Sequence, residues 1–316
     1  MILGPESAPL SRSIDDYPEG IIIPIDKPYR WTSADVIRKV KFAAIRHFGK
    51  KNLKVGHAGT LDPLATGVLL VCIGKATKLA EELQSHDKEY VAGITFGATT
   101  PSYDLEKEID RFFPHEHITD EAVTEALPAF IGEQDQIAPL FSAKSVDGVR
   151  AYELARKLHA QGKTLDEAAA ELIRVARINI TELELIEYAA GRGFENRATP
   201  LAAGVVSDEQ IAQWAFAANS IDEVMGGVVF KTAPDGDSNA SSRINVTDNS
   251  ALGLPRAVVR MACSKGTYVR AFARDLGEAL GSGAHLDSLQ RSRSGIFRVE
   301  NALSVDQTLA LLSKPQ

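Results

Sequence analysis

One carboxylate near the N-terminal end of the chain has surroundings that could support chemistry. Asp62 is the only acidic residue between Asp35 and Glu81, and it lies in residues 56–67, which read Gly-His-Ala-Gly-Thr-Leu-Asp-Pro-Leu-Ala-Thr-Gly. One interpretation is an Asp-Pro turn whose carboxylate accepts a backbone N–H. The other is a carboxylate nucleophile or base, which needs a cation to offset the cost of burying its charge.

The C-terminal part of the chain offers such a cation. Residues 263–270 read Cys-Ser-Lys-Gly-Thr-Tyr-Val-Arg, which predicts a strand, a tight turn and a second short strand. In that second strand Tyr268 and Arg270 point to the same face, because strand side chains alternate with a period of two. The alternatives are a surface salt bridge for Arg270 and a core aromatic for Tyr268, and the sequence leaves both open.

Other kinds of site are excluded by their spacing. Residues 67–77 resemble a phosphate-binding loop, but Leu69 stands where the first glycine is required. The chain has no Cys-x-x-Cys, His-Glu-x-x-His or Gly-x-Ser-x-Gly pattern, so neither a metal site nor a serine-hydrolase elbow is predicted. Cys72 and Cys263 each lie in an apolar run, which favours two buried thiols over a disulfide.

Charge is distributed unevenly along the 316 residues. The formal net charge of −7 argues by itself against a nucleic-acid partner. However, residues 21–80 hold 11 Lys and Arg against 3 Asp and Glu, and residues 255–316 hold 9 against 5. These two basic segments are compatible with phosphate binding, and the alternative is a solvated mosaic of surface charges.

The composition, 44% hydrophobic and 24% charged, is typical of a folded soluble protein. No apolar run approaches the ~18 residues of a membrane span, and no signal-peptide pattern opens the chain. We therefore expect a cytoplasmic protein without a membrane partner.

The elements that position these residues mix strands and helices without strict βαβ alternation. This predicts an α+β fold rather than a doubly wound sheet. Residues 1–19 predict a poorly ordered leader, and residues 56–67, with three glycines and a proline, predict a loop. Residues 189–254, rich in small and polar residues, predict an insertion between two strands. Strands are predicted at 20–28, 68–73, 89–96, 176–188 and 257–264, and helices after Thr32 or Ser33 and at 76–83, 119–131, 148–158 and 272–280.

Residues 56–67 resemble the catalytic motif of the TruB family of tRNA pseudouridine-55 synthases. Three further blocks occur in the family's order, so that the resemblance covers about residues 20–188 and 255–305. It implies the pseudouridine synthase fold, a mixed, mainly antiparallel sheet flanked by helices and loops. The blocks are Ile25-Asp26-Lys27-Pro28 with Trp31-Thr32-Ser33, then Asp87-Lys88-Glu89-Tyr90, then residues 263–270 with Asp275-Leu276-Gly277 and Gly283-Ala284-His285-Leu286.

The same resemblance implies catalytic roles for three residues. Asp62 attacks the target nucleoside, Tyr90 stacks on the flipped uracil and helps to remove the C5 proton, and Arg270 pairs with Asp62. Three routes stay open for the carboxylate: addition to uracil C6, attack on ribose C1′, or removal of a C2′ proton to give a glycal. None of these routes transfers electrons or adds atoms, so no cofactor is expected.

The resemblance also implies contacts with RNA. His57 enters the space that the flipped base leaves in the T loop, and the other RNA-binding or supporting roles fall on Tyr268, Lys27 and Lys78. The target base must leave its stack at a cost of a few kcal/mol, which an aromatic face and basic surfaces help to offset. The expected partner is the T arm of tRNA, acted on by a monomer without an obligatory protein partner.

Two alternatives share parts of this pattern. A guide-RNA-dependent, dyskerin-like pseudouridine synthase has the same Gly-Thr-Leu-Asp-Pro core, but the continuation Leu64-Ala65-Thr66-Gly67 favours the stand-alone enzyme. A non-catalytic RNA-binding module has no need of a buried acid facing anionic RNA. The chain ends at Gln316 without the C-terminal PUA domain that bacterial members commonly carry, so RNA binding is expected to depend on the catalytic domain.

Overall fold

The computed structural model describes residues 1–139, 175–191 and 244–313, with the backbone of two short strands between 145 and 150. The strands are β1 (Ile21–Lys27), β2 (Val55–Ala58), β3 (Ala65–Ile73), β4 (Lys88–Phe96), β5 (Ala98–Thr99), β6 (Arg111–Phe112), β7 (Gly132–Gln136), β8 (Ser145–Val146), β9 (Val149–Arg150), β10 (Ala176–Ala189), β11 (Arg256–Cys263), β12 (Ala284–Ser294) and β13 (Phe297–Arg298). The α-helices are α1 (Ser33–Phe48), α2 (Ala80–Ser85), α3 (Asp120–Ala126), α4 (Val269–Ala279) and α5 (Val305–Leu311).

The chain divides into two compact units, and the boundary between them falls within β4 and within β12. The described residues of the first unit are 1–90, 244 and 289–313. Those of the second unit are 91–139, 145–146, 149–150, 175–191 and 245–288. No helix in these ranges is long and apolar enough to cross a bilayer.

Strand β3 is central to the first unit. It pairs antiparallel with β1 and β2, and parallel with β12, where Gly67 lies opposite Arg291. Residues Val68 to Ile73 are all fully buried, which confirms the strand predicted from that apolar run. The pairs β10–β11, β10–β7 and β12–β13 are antiparallel, as are the separate two-stranded sheets β5–β6 and β8–β9. Strand pairing is therefore mixed and mostly antiparallel, and the α+β prediction is confirmed.

Helix α1 covers this part of the sheet because its sequence encodes both a start signal and an apolar face. Thr32 caps it, accepting from the N–H of Asp35 while the Asp35 carboxylate accepts from the N–H of Thr32. Val36, Val40 and Ala44 recur at helical spacing and are completely buried in one cluster with residues of β1 and β3.

The second unit contains β10 between β7 and β11, all antiparallel. Because β10 ends at Ala189 and β11 begins at Arg256, the predicted insertion does connect two adjacent strands. Residues 192–243 of that insertion, and most of the helix predicted at 148–158, lie outside the described residues. Strand β9 occupies the second and third positions of that predicted helix.

The structure corrects the prediction of a poorly ordered leader. Leu3 and Leu10 are 1% and 7% exposed and belong to the core cluster of the first unit. The N–H of Leu3 donates to the carbonyl of Ile22 at 3.0 Å, and the N–H of Ile22 donates to the carbonyl of Met1 at 2.8 Å. Widely spaced apolar residues anchor this segment, although its overall composition is polar.

Two local predictions are also wrong. Residues 56–67 are not one loop, because β2 includes Gly56 and His57 and pairs with β3, which leaves residues 59–64 as the connection. Residues 267–270 do not form a strand, because Tyr268 is the N-cap of α4 and Arg270 lies in its first turn. The two side chains therefore do not alternate across a sheet.

Candidate active site

Asp62 lies in the connection between β2 and β3 and is half-buried. The connection tightens just after it, because the N–H of Ala65 donates to the carbonyl of Asp62 at 3.1 Å. Its preceding residue, Leu61, is 4% exposed and joins the core cluster of the first unit. Main-chain folding therefore places the carboxylate at the edge of a packed core.

Ser33, the first residue of α1, holds the residue before Asp62. Its hydroxyl donates to the carbonyl of Leu61 at 3.1 Å and accepts from the N–H of Leu61 at 3.0 Å. Ser33 is itself 3% exposed, so these bonds are shielded from water. The start of α1 thus restricts the backbone on the N-terminal side of the carboxylate.

Lys27, at the end of β1, holds the residue after Asp62. Its ammonium donates to the carbonyl of Pro63 at 3.2 Å, to that of Pro28 at 2.9 Å and to that of Trp31. Lys27 is completely buried. The sequence predicts that Lys27 either contacts RNA or supports the motif. Its complete burial favours the supporting role.

Arg291, in β12, holds the start of the same connection and was not predicted. Its guanidinium is 1% exposed and donates to the carbonyls of Val68 at 2.7 Å, Gly59 at 3.2 Å and Thr60 at 3.5 Å. No carboxylate pairs with it in the described part of the chain. Backbone carbonyls therefore solvate this buried charge, and in return the charge orders residues 59 and 60.

The buried cations also affect their neighbours. Burial lowers the pKa of Lys27 from 10.5 to about 7; the negative charge of Asp62 opposes this change and the positive charge of Arg291 adds to it. Burial, and then the charge of Arg291, lower the pKa of His57 as well. The imidazole of His57 is therefore neutral at neutral pH.

His57 is half-buried in β2, opposite Val71 of β3. Its Nδ1 atom is buried and has no hydrogen-bond partner within the ranges that the structure describes. A buried polar atom without a partner is costly, so an incoming group that bonds to it would recover that cost.

Tyr90 and Lys78 are the remaining predicted residues of the first unit. Tyr90, in β4, is half-buried and packs against the core cluster. Lys78 is exposed on the 3-10 helix Gly74–Leu79. The first unit thus holds Asp62, His57, Tyr90, Lys27 and Lys78.

The second unit holds Arg270 and Tyr268. Arg270 is 5% exposed, donates to the carbonyl of Ser102 at 2.9 Å and lies 3.7 Å from a carboxylate oxygen of Asp104. The amide of Gln136 brackets the start of α4, accepting from the N–H of Tyr268 at 2.8 Å and donating to its carbonyl at 3.2 Å. The pairing of Arg270 with Asp62 links residues of different units and stays a prediction.

Ser33, Arg291 and Asp104 are the functional candidates that the sequence did not reveal. The sequence predicts Ser33 as a possible helix cap and as part of the Trp31-Thr32-Ser33 block, without a contact to the Asp62 connection. Arg291 lies in a run of alternating serines and arginines whose burial no local pattern indicates. Within the described ranges, no three His, Cys, Asp or Glu side chains come together as a possible metal site.

Comparisons with known proteins identify the family to which the chain belongs. Residues 46–192 match the family model described as TruB family pseudouridylate synthase, N terminal domain. The chain is 43% identical over 291 residues to tRNA pseudouridine synthase B of Phocaeicola vulgatus, covering 92% of each chain. It is 41% identical over 288 residues to the protein of the same name from Bacteroides fragilis, covering 91% of this chain and 92% of the relative.

Among solved structures, a chain in the crystal structure of a Cbf5-Nop10-Gar1 complex matches with a TM-score of 0.52 at 21% identity. The match covers 99% of this chain and 64% of the other, and it supports the pseudouridine synthase fold. Because relatives at about 40% identity match over nine tenths of its length, the chain belongs to the TruB family and is a pseudouridine synthase, an isomerase.

Proposed function

We propose that this enzyme converts a uridine in the T arm of tRNA, position 55, to pseudouridine, with Asp62 as the catalytic carboxylate. The observation that carries the proposal is the support around Asp62. Ser33 holds the residue before it, Lys27 holds the residue after it, and Arg291 holds the start of its connection. A catalytic group must be held close to its productive geometry, and buried hydrogen bonds provide that rigidity.

The reaction needs a carboxylate and no cofactor. The C1′–N1 bond breaks, a C1′–C5 bond forms, C5 loses a proton and N1 ends with one, so atoms and electrons balance within the substrate and water. A positioned Asp62 serves addition to C6, attack on C1′ and removal of the C2′ proton, and these three routes remain the candidates.

Three further residues complete the proposed site. Tyr90 stacks on the flipped uracil and assists removal of the C5 proton, and Arg270 pairs with Asp62. His57 fills the space that the base leaves, for which its neutral imidazole and unpartnered Nδ1 are suited. Flipping costs a few kcal/mol, and stacking and hydrogen bonding offset that cost.

The proposal also specifies the substrate of the enzyme and the molecules that it needs for activity. Relatives named tRNA pseudouridine synthase B support tRNA as the substrate. We expect the enzyme to act as a monomer in the cytoplasm, without a guide RNA or protein partner.

The test is release of tritium from a T-arm hairpin labelled at C5 of the target uridine. The wild-type enzyme alone should release tritium, whereas Asp62→Asn should bind the hairpin equally well and release none. Glu300→Gln, an exposed carboxylate changed to its amide, serves as the control and should retain full activity.

Each alternative gives a different result. An active Asp62→Asn enzyme would show that Asp62 is not the catalytic group. Turnover that appears only after a guide RNA is added would favour the guide-dependent class. Tight binding by the wild-type protein without turnover on hairpin or full tRNA would favour an RNA-binding module.

A further inference from the structure

An open groove in the first unit is lined by lysines for which the proposed reaction has no use. Its volume is about 480 Å³, and its lining includes Lys41 of α1 together with Lys51 and Lys54, which precede β2. Gly56 and Thr77 also line it. Three cationic side chains around one concavity suggest an anionic occupant.

The three charges are available to such an occupant. Lys41, Lys51 and Lys54 are exposed, and no carboxylate within the described ranges forms an ion pair with them. Lys50, their neighbour in the sequence, differs because it lies 3.5 Å from the carboxylate of Asp15. A concave surface lined by charges of one sign concentrates the electrostatic potential and attracts ions of the other sign.

The backbone that displays these lysines is fixed. Leu53, between two of them, is 4% exposed and belongs to the core cluster. The carbonyl of Lys54 accepts from the N–H of Gly74 at 2.8 Å, and Val55 pairs with Ile73 of β3. A preformed site of this kind loses little conformational entropy when it binds a ligand.

The groove lies next to the proposed site along the chain, because Gly56, which lines it, directly precedes His57. Lys54 precedes His57 by three residues of extended chain, or about 10 Å at the rise of a β-strand. A strand of an RNA duplex advances on the order of 3 Å per nucleotide along its axis, so 10 Å corresponds to about three nucleotides. We propose that this groove binds backbone phosphates of the substrate RNA about three nucleotides from the target uridine, an inference that depends on the proposed function.

The first experiment measures the salt dependence of binding to the T-arm hairpin. The triple variant Lys41→Gln, Lys51→Gln, Lys54→Gln should bind on the order of 10- to 100-fold more weakly at low salt, and the slope of log K against log salt should fall by about 2 to 3. Its kcat at saturating RNA should equal that of the wild type. Lys50→Gln, exposed but already paired with Asp15, is the control and should match the wild type.

The second experiment locates the phosphates. Hairpins with single neutral methylphosphonate linkages, scanned over five nucleotides on each side of the target, should lose affinity for the wild type at one to three linkages centred about three nucleotides away. The same methylphosphonate substitutions should reduce the affinity of the triple variant only slightly, because its groove no longer carries the lysine charges that would contact those phosphates.

These results also separate the inference from the proposed function. If the wild-type enzyme turns over the hairpin while the triple variant keeps its salt slope, the groove proposal is wrong and the proposed function stands. Equal losses of affinity for the methylphosphonate hairpins in the wild type and the triple variant would also overturn the groove proposal. A wild-type enzyme inactive on every tRNA substrate would contradict the proposed function itself.

Discussion

The guanidinium of Arg291 orders the connection that carries Asp62 from the interior of the protein. It is almost completely buried, and it donates to two backbone carbonyls at the start of the connection and to the carbonyl of Val68 within β3. Hydrogen bonds that involve a charged group contribute more than neutral ones, and losing one in a buried place leaves a carbonyl without a partner. We therefore propose that Arg291 positions Asp62 through the backbone of residues 59 and 60.

A first prediction concerns Arg291→Lys, which replaces the planar guanidinium by an ammonium group that cannot reach the same carbonyls in the same geometry. Arg291→Lys should lower kcat by on the order of 10- to 100-fold, because a displacement of about 1 Å at a reacting group costs that much. KM should change little, and the free energy of unfolding should fall by about 2–3 kcal/mol.

Single-turnover tritium release and urea unfolding measure the two effects of Arg291→Lys. Arg298→Lys, at an exposed arginine of β13, is the matched control and should leave both quantities unchanged. An Arg291→Lys enzyme with wild-type kcat would show that the guanidinium contacts do not position Asp62.

At the scale of elements, the parallel pairing of β3 with β12 depends on one glycine. Gly67 lies opposite Arg291 and has a φ of +96°, which side chains other than glycine rarely adopt. A Cβ atom at this position would overlap the backbone carbonyl of Arg291. The motif thus ends in glycine because the strand that carries Arg291 passes directly over it.

The change Gly67→Ala should therefore be strongly destabilising. Both the overlap and the positive φ contribute, and together they should lower the free energy of unfolding by roughly 3 kcal/mol or more. Urea denaturation measures this loss. Gly56→Ala is the control, because no atom lies within 4 Å of its Cβ position, and it should change stability by less than about 1 kcal/mol. Equal stability of the two variants would contradict the close approach.

Helix α4 begins where the local sequence predicts a strand. Residues 267–270 read as a second strand because Thr, Tyr and Val favour strands. In the structure, the Gln136 side chain of β7 binds both main-chain polar groups of Tyr268 and so defines where the helix begins. A contact between residues 132 positions apart decided this start, and no local pattern reports it.

At the scale of the whole molecule, folding is coupled to one buried proton. The pKa of Lys27 is lowered by burial from 10.5 to about 7 in the folded protein. Between these values the unfolded chain holds a proton that the folded chain has released. Stability therefore rises with pH across this window, and below pH 7 the full cost of the buried charge is present.

The measurement is the free energy of unfolding between pH 6.5 and 9.5, compared with that of Lys27→Met. The wild type should gain stability relative to the variant by up to about 1.4 kcal/mol per pH unit above pH 7. If the free energies of unfolding of the wild type and of Lys27→Met changed in parallel with pH, Lys27 would hold its proton equally in the folded and unfolded states.

The overall charge also has a clearer meaning in three dimensions. The net charge of −7 coexists with a basic segment, residues 21–80, whose described residues all belong to the first unit. Three of its lysines line one groove there. Local concentration of charge, rather than the total, governs attraction of an anionic partner.

The sequence by itself determined four of the five described α-helices, five of the thirteen described strands (β1, β3, β4, β10 and β11), the α+β class and the motif that carries Asp62. These depend on periodicity within short windows, on capping residues such as Thr32 and on a contiguous pattern of residues. The errors at residues 1–19 and 267–270 occurred where contacts with distant segments override local composition, and residues 56–58, predicted as loop, pair with β3.

Only the tertiary structure decided how the candidate site is supported. Lys27, Ser33 and Arg291 meet the Asp62 connection across 36, 28 and 232 positions of the chain, respectively. Burial and hydrogen-bond partners at such separations follow from packing and strand register. A single sequence does not report these quantities, because the same lysine, serine or arginine is equally compatible with an exposed surface.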